Sequence, residues 1–164
     1  ELYGGYERNF SPRGQYAGQS DYYNETDVEV FYSDTVVHQH NKWYLQGLWR
    51  NERQAIVHAR VTEGLEDYFA LKFAARSVMV VINPVYPDPF EVIVEIDGRP
   101  LGSDQAGSDI TWDEQGRSVL KVDGGREYVV VELDEFGVHE LKLISDSANF
   151  AIYALTFGIN LKGT

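Results

Sequence analysis

From Trp43 onward, short apolar runs alternate with polar turn residues, a pattern of many short strands. The predicted strands are 43–49, 54–60, 68–73, 77–83, 90–96, 118–123, 127–133, 138–144 and 149–157. The period of two is clearest in 90–96. There Phe90, Val92, Val94 and Ile96 share one face, and Glu91 and Glu95 point the other way. In 138–144, His139, Leu141 and Leu143 oppose Glu140 and Lys142. Segments 77–83 and 149–157 are apolar on both faces, which places them centrally in a sheet or under a covering loop. Turn residues separate the runs at Glu63-Gly64, the proline-rich stretch 84–89, Asp97-Gly98, 114–116, 123–125, Glu135-Phe136-Gly137 and Ser145-Asp146. Residues 63–75 also fit a helix, with Leu65, Phe69 and Phe73 at i, i+4 and i+8, but the sheet count favours a strand from Tyr68. The expected class is all-β, a sandwich of two antiparallel sheets.

The division falls near residue 42. Residues 1–42 are read as an irregular N-terminal arm or interdomain linker, and 43–164 as the sandwich domain. Six of the 11 tyrosines lie in the arm, which also offers an early strand at 28–32. A fully buried ring contributes on the order of 1.5–3 kcal/mol, so several of these rings are expected against the sandwich or a partner.

Composition narrows the class of partner. The net charge of −12 argues against nucleic acid and anionic membrane surfaces, both of which need clustered basic side chains. Zero cysteines remove disulfides, thiol catalysis and Cys-ligated metals. No apolar run approaches the roughly 20 residues that span a bilayer, so no direct membrane insertion is expected. The first residues show neither a basic nor an apolar leader region. The expectation is a mature product or a domain cut from something longer.

Motifs for catalysis are absent: HExxH, GxSxG, GxxxxGK[ST] and GxGxxG do not occur, so no enzyme activity and no catalytic residues are expected. A hydrolase using a carboxylate pair is the weakest of the alternatives. His38-Gln39-His40 reads as half of a metal site or as a solvated loop pair. The loop 102–116 is rich in oxygen donors. It admits a structural Ca²⁺ on Asp104, Asp109 and Asp113, with an ordinary acidic loop as the competing reading, and no other cofactor is expected. Trp43 and Trp49 share one strand face and read as packing residues. Trp112 and Tyr86 fall on predicted loops, where a ring serves as a stacking platform for a sugar or tucks inward to close the sandwich. Trp112 is the preferred platform, with Asp109, Asp113 and Arg117 placed to bond hydroxyls.

The stretch from Trp43 to Gly158 resembles the C-terminal domain of DipZ-type thiol-disulfide exchange proteins. The matching pieces run in order: Trp43-Tyr44-Leu45-Gln46-Gly47-Leu48-Trp49, Phe73-Ala74-Ala75-Arg76-Ser77-Val78, Val92 to Pro100, Gly107-Ser108-Asp109-Ile110, Arg126-Glu127-Tyr128, His139-Glu140-Leu141 and Tyr153 to Gly158. Upstream, Tyr3-Gly4-Gly5-Tyr6-Glu7-Arg8 is similar to the segment that joins the two domains in that family. The resemblance implies a jelly-roll β-sandwich similar to carbohydrate-binding modules, placed outside the cytoplasm. The family's redox chemistry belongs to a cysteine pair that this chain lacks, so it does not carry over. The expected function is therefore a non-catalytic binding module for a glycan. The alternative is a structural or interaction domain that docks on a partner protein or neighbouring domain through the arm.

Overall fold

The computed structural model describes residues 1–10, 15–35 and 37–159. It is all-β apart from a short 3₁₀ turn at Ser20–Tyr23. The strands are β1 (Leu2–Tyr3), β2 (Glu29–Tyr32), β3 (Trp43–Asn51), β4 (Ile56–His58), β5 (Tyr68–Ile82), β6 (Phe90–Ile96), β7 (Arg99–Pro100), β8 (Ile110–Trp112), β9 (Ser118–Val122), β10 (Arg126–Ile144) and β11 (Ala151–Gly158). Among the described residues, no helix is long and apolar enough to cross a membrane.

Two expected separations are absent. Segments 68–73 and 77–83 form the single strand β5, and 127–133 and 138–144 form the single strand β10. The turn expected at Glu135-Phe136-Gly137 is a bulge. Ser77 pairs with Glu132 and Ala75 with Gly137, so the ladder to β5 continues while residues 133–136 loop out opposite Arg76. The turn residues are real signals, but both flanking runs have the same partner strand, and the extra residues are absorbed without reversing the chain.

The long strands also join the layers of the sandwich into one hydrogen-bonded ladder. The first part of β5 pairs with β3 and its last part with β11, while β10 follows it along both. Hydrogen bonding is thus continuous in the order β1-β11-β4-β3-β5-β10-β6-β9-β8, with β2 on β3 and β7 on β6. Strands that bend from one layer into the next make the corners of such a sandwich. One core runs between the layers and includes Trp43, Trp49, Phe69, Phe73, Tyr128 and Phe150. Period two holds in β6, where Val92, Val94 and Ile96 enter this core and Glu91 is exposed. Asp97 and Gly98 both take positive φ, as the two-residue hairpin between β6 and β7 requires.

The described residues before Trp43 are part of this architecture. β1 pairs with β11 and β2 with β3. Tyr22 and Tyr32 are fully buried, and Tyr22 meets the Trp43 ring edge-on at 4.5 Å between centroids.

Candidate functional site

The arm builds a cavity as it crosses the sheet. Leu2 and Tyr3 pair with Leu155 and Ala154, and Gly4 N–H then donates to the Tyr153 carbonyl at 3.0 Å. The chain next leaves β11 for the connection between β3 and β4. There Tyr6 N–H donates to the Glu52 carbonyl (3.0 Å) and Glu7 N–H to the Arg53 carbonyl (2.9 Å). This path needs the glycine pair. A Cβ on Gly4 would lie 2.6 Å from the Ile152 carbonyl oxygen, and one on Gly5 would lie 2.4 Å from the Gln54 backbone.

Between arm and sheet lies a cavity of about 260 Å³. The rings of Tyr3 and Tyr153, both half-buried, line it together with Ala154 and Gly5. Its polar lining is Glu7, Arg8, Arg53 and Gln54. The Glu7 carboxylate accepts from Arg53 at 2.9 Å and from Gln54 at 3.5 Å, and these bonds hold its pKa below the usual carboxylate value. The Arg8 guanidinium lies 4.8 Å from the centroid of the Tyr3 ring. The Tyr3 hydroxyl donates to Glu1, and that bond raises its pKa. The lining holds one carboxylate and no Ser, Thr, Cys or His. It supplies ring faces and hydrogen-bonding groups, the composition of a recognition site.

None of the site residues singled out from sequence lines this cavity. Trp112 stands on a strand, β8, because residues 110–112 pair with 118–120 of β9. Its ring is 46% exposed, and its Nε1–H donates to the Leu101 carbonyl at 2.9 Å. Asp113 and Arg117 are beside it and pair with each other at 2.7 Å. Asp113 also accepts the Arg117 backbone N–H, so its carboxylate closes the turn. Asp109 faces Arg126 at 2.9 Å and accepts the Val129 N–H at 2.7 Å, tying the loop to β10; Arg126 holds its pKa low. Asp104 is exposed. Asp109 and Asp113 thus bond separate partners. Among the described residues, no group of three or more His, Asp or Glu side chains is arranged to hold a metal.

Tyr86 is 59% exposed on a loop pinned by Asn149, whose amide donates to the carbonyls of Tyr86 (3.1 Å) and Asp88 (2.6 Å). It sits at the opposite end of the ladder from Trp112. Phe90 pairs with Val122, while Trp112 pairs with Ser118, a backbone separation of about 13 Å before the loop is added. The two rings do not form one platform.

Residues 1–158 match the family described as the thioredoxin-like C-terminal domain. The chain belongs to that family. No curated protein matches it.

In this thioredoxin-like C-terminal domain the matched span includes the arm, so both sides of the cavity lie within it. The pieces Tyr3 to Arg8 and Tyr153 to Gly158, quoted above from opposite ends of the chain, are neighbours in space and meet at the cavity. Both pieces carry the family resemblance, and that was the signal in the sequence for Tyr3, Glu7, Arg8 and Tyr153. Nothing local marks Arg53 or Gln54.

Two other polar clusters are more enclosed. His58 and Asp67 are buried, with His58 Nε2 2.8 Å from Asp67 and Nδ1 2.7 Å from the Ser147 carbonyl oxygen. Arg60 grips the same carboxylate with two bonds of 2.7 Å. Burial alone would raise the Asp67 pKa; the bonds from Arg60 and His58 outweigh it and lower the value. Gly47, at φ +104° within β3, leaves the space for this carboxylate, since a Cβ there would lie 2.0 Å from Asp67 Cγ. His38 is largely buried, while His40 is exposed. The His38 ring stacks on Tyr44 at 4.1 Å and bridges Asp34 (2.7 Å) and Glu140 (2.9 Å).

Proposed function

We propose that this domain is a non-catalytic binding module, acting outside the cytoplasm, whose ligand is a glycan bound in the cavity between the arm, the β3–β4 connection and strand β11. The observation that carries the reading is the lining: two tyrosine rings and four hydrogen-bonding side chains around open space, without a nucleophile or a second carboxylate. Sugars are recognised by such a combination, their C–H faces on rings and their hydroxyls on polar groups. Tyr86 and Trp112 are exposed too, but they stand at opposite ends of the β6–β9–β8 ladder.

A glycan-binding screen followed by NMR titration of the intact domain tests this. The expected result is saturable binding with shifts at Gly5, Gln54 and Ala154, lost in Tyr153→Ala. Shifts confined to Trp112 and its neighbours would move the site to β8. Absence of glycan binding, together with a stable complex with a partner protein, would replace the reading with the docking alternative.

A further inference from the structure

We infer that the cavity selects an acidic sugar, a single uronate residue or chain end, and that Arg8 is the group that takes its carboxylate. The inference rests on the cavity being the glycan site and adds the ligand's charge. The chain carries −12 overall, yet the cavity lining holds two arginines and one glutamate, a local balance of +1. Arg53 is matched by Glu7 at 2.9 Å. Arg8 makes no ion pair within 4 Å among the described residues; its guanidinium lies over the Tyr3 ring and bonds the Tyr3 hydroxyl.

One bond to the Tyr3 hydroxyl leaves the other donors of the Arg8 guanidinium, and a carboxylate is the acceptor that fits its planar fork two bonds at a time. A single unmatched cation suits one negative charge. A phosphate ester carries nearly two, and the lining's balance of +1 compensates only one of them. Size points the same way, since about 260 Å³ lies just below the roughly 300 Å³ at which drug-sized sites begin. One sugar ring fits that space better than a chain. The ring would lie against Tyr3 or Tyr153, with Gln54 and Glu7 bonding hydroxyls.

The test titrates the full chain with methyl glucuronide, its uncharged methyl ester, methyl glucoside and inorganic phosphate, followed by NMR at Gly5 and Ala154. A charge-assisted bond predicts that the glucuronide binds about tenfold or more tightly than the glucoside or the ester, and that added salt erodes this preference. Arg8→Gln should abolish the preference without moving the melting temperature, because Arg8 is exposed; Arg8→Lys should restore part of it. Equal binding of acid and neutral sugars at the cavity overturns the charge selection and leaves the glycan reading standing. Tighter binding of phosphate than of glucuronide overturns the carboxylate assignment. Binding of none of the four at the cavity overturns both inferences.

Discussion

Asp67 and Glu7 are both carboxylates gripped by an arginine, yet they do opposite things for the molecule. Asp67 is 1% exposed, and its oxygens are consumed by Arg60, His58 and the Leu48 N–H. Nothing is left over for a ligand, and the cluster binds the β4–β5 connection to β3 and to the Ser147 carbonyl. Glu7 is 39% exposed, and its bonds to Arg53 and Gln54 run along the lining of a cavity whose remaining groups face open space. The residue types are nearly the same. What differs is whether protein or solvent stands on the far side of the ion pair. A buried pair stabilises only while every partner remains, whereas a half-exposed pair adds little to stability and is available for recognition.

The comparison breaks most visibly at its enclosed end. Asp67→Ala leaves His58 and Arg60 without their acceptor and should cost about 3–5 kcal/mol. Chemical denaturation against the parent checks this. A loss as small as that expected for an exposed ion pair would show that the cluster is not the tie described here.

Acid should sharpen the same contrast. The folded-state pKa of Asp67 lies below its ordinary value, so its stabilising contribution is complete above the unfolded value of about 3.9 and is lost as pH falls through the lower folded value. Asp97 and Asp109 are also lowered, Asp97 against its partial burial by His139, Asp109 by Arg126, and both act with the same sign. Unfolding free energy measured across this acid range should decline steeply in the parent and less steeply in Asp67→Asn. Identical slopes would remove Asp67 from the acid response.

The smallest effect is expected at Trp112. Its ring is half out of water and gives up one hydrogen bond on truncation, so Trp112→Ala should cost roughly 1–2 kcal/mol in melting experiments and leave binding at the arm cavity unchanged. A larger loss of stability would make it a core residue, and a loss of sugar affinity would make it a site.

Much of the fold was legible along the chain because burial imposes a period of two on each strand. Phe90–Ile96 shows its inward and outward faces directly, and Asp97-Gly98 marks the hairpin by its tolerance of positive φ. The breaks at 74–76 and 134–137 were not legible as continuations. A turn signal reports local backbone freedom, and only the partner strand decides whether that freedom reverses the chain or makes a bulge. Trp112 fails in a similar way. Three residues of edge strand leave too short a pattern to separate from a loop, and their pairing to β9 is what defines them.

The sequence by itself determined the all-β class, the acidic surface and the absence of thiol chemistry, since each follows from residue identity or from neighbours a few positions away. Tertiary structure alone decided where open space lies and which charges remain unmatched. Arg8, Arg53 and Tyr153 are distant along the chain, and no local pattern records that a glycine pair lets the arm lie on the sheet so that they line one cavity. Matching of charge is likewise a property of three-dimensional neighbours: Arg60 and Arg8 are the same residue type, and only packing encloses one against Asp67 and leaves the other against a tyrosine ring at an opening.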